Sequence, residues 1–326
     1  MTDTSWHPVT DPGVAEFFTE ITPMWLGHLL VFLTYLGSVF VVVPLVVAAY
    51  WRDPERFAHW IPAVVGYYGL MTAIKSLNSA VRPTAEPPVG AEHAPALFAG
   101  TYEHATAIST TSFPSGNVIA ATVLAGLFVL DSRLLTRTKR LGIAVILVAL
   151  VSYTRLGLGV HYPVDVVAGV FIGITFVGGI LVVRRVATDE TAALFILAAV
   201  LTVGALILRM GITLSPDITA LAGSNRPVAV GAAIGGFVVW HLISRRPQPD
   251  GRQAKIASIL ALTATVGGGY LLVSVLTHPV LAALGGAIAF GGAVAVPWTL
   301  PAQSGLVSWV GFGSRERGVS AWPSGD

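Results

Sequence analysis

Between Trp25 and Tyr50 the chain runs for a whole bilayer's length without an Asp, Glu, Lys or Arg. A helix needs about 20 apolar residues to cross the hydrocarbon core. In lipid the backbone must satisfy its own hydrogen bonds, so such a run is a helix or part of one. Comparable runs recur along the sequence. Of the 326 residues 54% are hydrophobic and only 11% charged, against about 25% charged in a soluble domain. The chain therefore reads as an all-α, polytopic transmembrane helical bundle of about nine spans.

The expected spans are Trp25–Tyr50, His59–Ala80, Ser115–Leu130, Leu141–Tyr153, Val164–Val183, Thr191–Leu208, Pro227–Ile243, Ile256–Thr277 and Val280–Trp298. The fourth is short and the ninth marginal. Pro12–Ile21, with Phe17 and Phe18, suits a helix lying in the membrane interface. The first thirteen residues are not basic and precede no cleavage pattern, so no removable signal peptide is expected. With no cysteine in the chain, disulfides and thiolate metal sites are excluded. Basic residues are dispersed among loops, which gives nucleic-acid recognition no support.

Those loops set the expected orientation. Threading nine spans places Arg52, Arg56, Arg133, Arg137, Lys139, Arg140, Arg184, Arg185, Arg245, Arg246, Arg252, Lys255, Arg315 and Arg317 on one side. Lys75, Arg82, Arg155, Arg209 and Arg226 fall on the other, a division of 14 against 5. The first side is expected to be cytoplasmic, with the N-terminus outside and the C-terminus inside.

Lys75, Arg82 and Arg155 do not behave as ordinary loop charges. Lys75 falls within an apolar run, and Arg82 follows seven residues later, on the same helical face. Taken singly, either could snorkel toward headgroups. Arg155 ends the fourth span, His161 follows in a glycine-rich turn, and Asp165 lies four residues beyond, within reach of an imidazole nitrogen. Pro163 suits the first turn of the next helix. Between the two stretches, "TTSFPSGNV" runs from a polar loop into an apolar helix, and a helix N-terminus favours an anion. All three stretches fall on the same, extracytoplasmic side. Three cations and a helix N-terminus around a carboxylate-oriented imidazole suit phosphoryl transfer through a covalent histidine intermediate.

Lys75-x6-Arg82-Pro83, Pro114-Ser115-Gly116 and Arg155-x5-His161-x3-Asp165 resemble, in order and spacing, the three signature motifs of the type 2 phosphatidic acid phosphatase (PAP2) superfamily. The resemblance runs from about Lys75 to Gly169. It implies His161 as nucleophile and Asp165 as its orienter. Lys75, Arg82, Arg155, Ser115 and the Gly116 N–H would hold the phosphate, with no metal and no cofactor. The related vanadate-dependent haloperoxidases share these motifs but are soluble, so the apolar spans favour a membrane phosphatase. On this reading residues 1–24 are an extracytoplasmic N-terminus, 25–185 a catalytic transmembrane core, 186–300 additional spans and 301–326 a cytoplasmic tail.

Two positions depart from the family pattern. Thr154 replaces a serine and keeps the hydroxyl. Asn117 replaces the histidine that protonates the leaving group, and an amide cannot shuttle a proton. Loss of a general acid costs about 10²–10⁴ in rate. The departure favours a lipid (polyprenyl) diphosphate as substrate, because its leaving group is a phosphomonoester stable as an anion. Alternatively His93 or His104 substitutes, or the protein is a phosphotransferase. The remaining reading is a slow or catalytically impaired lipid-binding relative. A nine-span layout with an outside N-terminus also resembles glucose-6-phosphatase, in topology alone. The rival of another class is a flippase-like transporter or scaffold. In the last spans Arg209, Asp217 and Arg226 read as loop residues, and dense glycines imply close helix packing or a homodimer.

Overall fold

The computed structural model describes residues 11–211, 221, 224–244 and 278–299, with 256, 259–263 and 265–269. The expected tail 301–326, Asp217, half of the eighth expected span, and Arg245, Arg246, Arg252, Lys255, Arg315 and Arg317 lie outside them. The described residues contain helices and no strands. In chain order the α-helices are α1 (Pro12–Glu20), α2 (Met24–Leu33), α3 (Val39–Arg52), α4 (Pro54–Phe57), α5 (Trp60–Ser76), α6 (Ala99–Thr106), α7 (Gly116–Asp131), α8 (Arg137–Gly157), α9 (Pro163–Val186), α10 (Glu190–Met210), α11 (Arg226–Ile243) and α12 (Pro279–Thr299).

Five described helices are long and apolar enough to cross a membrane: α8, α9, α10, α11 and α12. The bent pair Pro12–Glu20 and Met24–Gly37, angled at 107°, makes a sixth if taken as one span. The expected first span does not form as one helix. A 3-10 turn at Thr34–Gly37 interrupts it, and the Ser38 hydroxyl accepts from the Phe40 N–H to cap a new helix, α3. Apolar composition alone cannot reveal that break, because Thr34, Gly37 and Ser38 are all tolerated inside a span. The helix of the fourth expected span, α8, is longer than expected: residues Arg137–Arg140 and Thr154–Gly157 extend it to 21 residues.

α5 is the central helix. Every residue from Trp60 to Tyr67 is buried, and Tyr67, Ile119, Leu127, Phe195 and Ile180 meet around it. At 17 residues it is shorter than a straight span. The outer helices present apolar residues outward as well as inward, as in Phe171 (70% exposed) and Ile146 (67%). A helix apolar all round belongs in lipid or deep in a core, and these outer faces fit lipid. The C-terminal glycines serve helix packing within the chain. A Cβ on Gly231 of α11 would lie 1.8 Å from the Ala283 carbonyl oxygen of α12, so only glycine permits that approach.

α5, α7 and α9 each carry polar residues at both ends. α7 alone spans about 24 Å at 1.5 Å per residue. At one end lie His59, Trp60, Asp131, Arg184 and Glu190; at the other lie the three motif segments.

Candidate active site

Backbone hydrogen bonds tie the three motif segments together. The chain leaves α5 at Ser76, and the Asn78 amide donates to the Ile74 and Phe113 carbonyls at 2.8 and 3.2 Å. The Ser112 N–H donates to the Ala80 carbonyl at 2.9 Å, so the segment carrying Arg82 lies beside the one that opens α7. The Ser115 N–H donates to the Asp165 carbonyl at 3.0 Å, joining the starts of α7 and α9. α8 ends in a tight reversal in which Gly159 has φ 67°, a left-handed conformation that side chains disfavour. Pro163 then starts α9, its fixed φ suiting the first helical turn.

His161 is 3% exposed and Asp165 2%. The His161 Nδ1 lies 3.2 Å from Asp165 Oδ2. That carboxylate also accepts from the Tyr162 N–H at 2.9 Å and from the Ser112 hydroxyl. With Asp165 ionised, Nδ1 carries the proton, which leaves the lone pair on Nε2. Arg82 Nη1 lies 3.3 Å from that Nε2. Burial, chiefly, holds the imidazole well below its ordinary pKa. The Arg155 and Arg82 charges act in the same direction, against the raising effect of Asp165. The ring is therefore neutral at physiological pH, as a nucleophile must be.

The three cations share one feature: their hydrogen-bond acceptors among the described residues are neutral. Lys75 Nζ donates to the Thr111 carbonyl at 2.5 Å. Arg82 donates to the Thr110 and Val160 carbonyls at 2.8 and 2.6 Å. Burial lowers the Arg82 pKa to about 10, partly offset by Asp165, and it remains charged at neutral pH. Arg155, 3% exposed, donates to the Thr34 hydroxyl at 2.6 Å. Its Nε is buried without a hydrogen-bond partner among the described residues. Among the described residues the carboxylate acting on Lys75 and Arg82 is Asp165, already engaged with His161, Ser112 and Tyr162. Net positive charge thus remains over a cavity of about 920 Å³ lined by Lys75, Arg82, Arg155, His161, Gly116 and Asn117.

Thr34 and Ser112 belong to this site, and sequence reasoning assigned a role to neither. Thr34 comes from the 3-10 turn that breaks the first apolar run. Its hydroxyl accepts from Arg155 and lies 3.2 Å from the Thr154 hydroxyl. The Asn117 amide donates to the Thr34 carbonyl at 3.0 Å and lies 3.3 Å from its hydroxyl. The turn can approach because Gly37 has no side chain; a Cβ there would sit 2.4 Å from the Asn117 carbonyl oxygen. The signal for Thr34 was present only as a small polar residue inside an apolar run.

The other expected residues divide. Gly116 and Asn117 line the cavity. Ser115 is fully buried behind it, and its hydroxyl has no partner among the described residues. His104 lines the cavity, its ring 5.8 Å from Tyr35 and 5.5 Å from Phe40. His93 does not line it; its Nδ1 accepts from the Gly90 N–H at 3.2 Å and lies 2.9 Å from Glu92. Arg209 and Arg226, expected as loop residues, lie in the last turn of α10 and the first position of α11 and line the same cavity. They reach it because α10 and α11 pack beside α5, a tertiary arrangement that local pattern does not encode.

Residues 61–189 match the family model of the PAP2 superfamily. No curated protein and no solved structure gives a match. The matched segment runs from α5 to the start of α10 and contains all three motif segments with the His161–Asp165 pair, so the similarity to the PAP2 superfamily lies in residues 61–189.

Proposed function

We propose that the protein is an integral-membrane phosphatase that hydrolyses a lipid phosphate, and by preference a lipid (polyprenyl) diphosphate, through a phosphohistidine at His161. The observation that carries this reading is the pairing of the site's cations. Lys75, Arg82 and Arg155 are held in place by carbonyl and hydroxyl oxygens that leave their charge uncompensated. Arg155 is buried and Lys75 and Arg82 are partly buried; cations held there without counter-charges are costly, and a phosphoryl group supplies the missing negative charge.

The His161 Nε2 lone pair attacks phosphorus, the N–P bond forms, and the bond to the bridging oxygen breaks. The electron pair leaves on that oxygen. Asp165 keeps the Nδ1 proton in place and stabilises the imidazole as it gains positive character. Arg82 already points at Nε2 and meets an equatorial phosphoryl oxygen where charge is greatest. Water then attacks phosphorus, the N–P pair returns to Nε2, and orthophosphate departs with the proton passing to solvent.

Asn117 bears on the leaving group. Its amide is held by Thr34 and has no proton to give. An alkoxide would depart slowly under those conditions, whereas a phosphomonoester dianion departs without protonation. That contrast supports the diphosphate preference.

Sidedness is part of the proposal. The described basic residues assigned to the cytoplasm, Arg52, Arg56, Arg133, Arg137, Lys139, Arg140, Arg184 and Arg185, all belong to the ends of helices or loops remote from His161. The positive-inside rule then faces the site outward.

A panel of matched lipid monophosphates and diphosphates, assayed with purified protein and His161→Ala, tests the reading. Faster turnover of the diphosphate, lost in the variant, is expected. Equal or faster turnover of the monophosphate would remove the diphosphate preference, and unchanged turnover in His161→Ala would remove the mechanism.

A further inference from the structure

The cavity that holds His161 has a second cationic end. Arg209 and Arg226 line it together with Lys75, Arg82, Arg155 and His161. Both lie beyond the matched family segment, which ends at residue 189. Arg226 Nη2 donates to the Ser76 hydroxyl at 3.3 Å and Nη1 to the Ser224 hydroxyl at 3.4 Å. Its Nε is buried without a partner among the described residues. Asn225 bonds the Tyr68 side chain, which also faces Arg226. Arg209 is near enough to Arg226 for the two like charges to interact.

No carboxylate among the described residues pairs with either arginine. The ion pairs present engage Glu92, Asp131, Asp165 and Glu190 with other partners. Two guanidinium groups that share a cavity wall without a carboxylate partner among the described residues, one exposed (Arg209) and one partly buried (Arg226), repel one another unless an anion lies between them. Lys75 joins this end to the reactive end. It interacts electrostatically with Arg82 and Arg155 and also with Arg226, and its neighbour Ser76 is the residue that Arg226 contacts. At about 920 Å³ the cavity is far larger than one phosphoryl group needs, and falls within the range of sites for drug-sized ligands.

We propose that Arg209 and Arg226, with Tyr68 and Ser76, form a second anion subsite that holds the non-reacting phosphate or phosphodiester of a substrate carrying two phosphoryl groups. The first of those groups lies at His161. The inference rests on the preceding reading for that placement, and it adds the recognition of a second, unreactive anion. It also gives the helices after residue 189 a role in substrate selection.

The test is calorimetric titration of the full chain in lipid nanodiscs with inorganic pyrophosphate and with orthophosphate. The wild type should bind pyrophosphate about tenfold or more tightly than orthophosphate, a difference of ~1.4 kcal/mol. In Arg209→Gln/Arg226→Gln that ratio should fall to about threefold or less. Arg209→Lys/Arg226→Lys, which keeps both charges, should retain most of it and so separates lost recognition from lost folding. A wild type that does not discriminate, or a ratio unchanged in the glutamine variant, would overturn the subsite. A proportional loss for both anions would also overturn it, because it would mark a general field effect. These arms read binding, so they stay informative if turnover fails and only the His161 mechanism falls. Steady-state assays of a lipid diphosphate and of a lipid bearing separate monoester and phosphodiester groups then identify the source of the second anion. The true substrate class is the one whose KM rises in the glutamine variant.

Discussion

The two ends of the helical core solve the same problem, buried charge, in opposite ways. At the end remote from His161 the buried carboxylate Asp131 sits in a paired cluster with His59, Arg184 and Glu190. His59 Nε2 lies 2.8 Å from Asp131 Oδ2, and the Trp60 indole donates to the same oxygen at 2.8 Å. Arg184 donates to Asp131 Oδ1 at 2.8 Å and to Glu190 at 3.0 Å. Four helices or their flanks are joined there, and each carboxylate meets a donor within the cluster. At the other end Lys75, Arg82 and Arg155 are held by backbone carbonyls and a hydroxyl, and the carboxylate present serves an imidazole. A closed network fixes a fold. An open one is prepared for a ligand that brings the missing charge. Buried ion pairs by themselves are poor evidence of function; here the imbalance, rather than the burial, separates site from scaffold.

The strongest challenge to that contrast is His161→Ala. It should lower kcat by about 10³-fold or more, since removing a nucleophile disables the whole unit, with the thermal midpoint little changed. Asp131→Ala should do the reverse. It strands the Arg184 guanidinium and removes the partner of His59 and Trp60, costing about 3 kcal/mol of stability, visible as a lowered midpoint. Turnover per folded molecule should stay at the wild-type level. If Asp131→Ala instead abolished turnover in folded protein, the two ends would not be separable.

Thr34→Val sharpens the comparison inside the site. It keeps the shape and removes the acceptor for Arg155, leaving a buried charged donor unsatisfied at about 1–3 kcal/mol. A drop of roughly tenfold in kcat/KM is expected, and Thr34→Ser should restore most of it. Asn117→His should raise turnover of a lipid monophosphate by up to about tenfold, short of a full general-acid effect, because the new ring must part from Thr34. No gain would mean that proton supply does not limit the monoester. The smallest effect is on pH. Because the folded His161 imidazole is held below its ordinary value, kcat/KM should persist as pH falls through ~6.5, where an unperturbed imidazole would protonate. Loss of activity centred at that value would show that His161 is not shielded as described.

Much of the arrangement at the His161 end was legible from sequence because its signals are local. The four-residue step from His161 to Asp165 is a fixed spacing, and Pro163 marks where α9 begins; the seven-residue step from Lys75 to Arg82 is not one helical face as expected, because α5 ends at Ser76 and Arg82 lies in the irregular segment beyond it. Ser112 was harder: it sits in the same polar stretch as Pro114, but its bond to Asp165 spans 53 residues. Thr34 was not legible, since its turn interrupts an apolar run whose composition reads as one helix. Neither was the convergence of Arg209 and Arg226 on the cavity, which depends on α10 and α11 packing beside α5. The paired end was missed for a related reason. His59, Asp131, Arg184 and Glu190 sit in or beside three separate breaks between apolar runs, where each alone looks like an ordinary loop or span-end residue.

The central claim is that the uncompensated cations hold a phosphoryl group against the His161 Nε2 until it bonds there. Rapid quenching of the full chain during turnover of a lipid substrate labelled with ³²P in its terminal phosphoryl group tests this directly. The account predicts acid-labile, alkali-stable label on the peptide containing His161, formed before free orthophosphate and absent from His161→Ala. Turnover at full rate with no label on that peptide, or label on another residue, would contradict it.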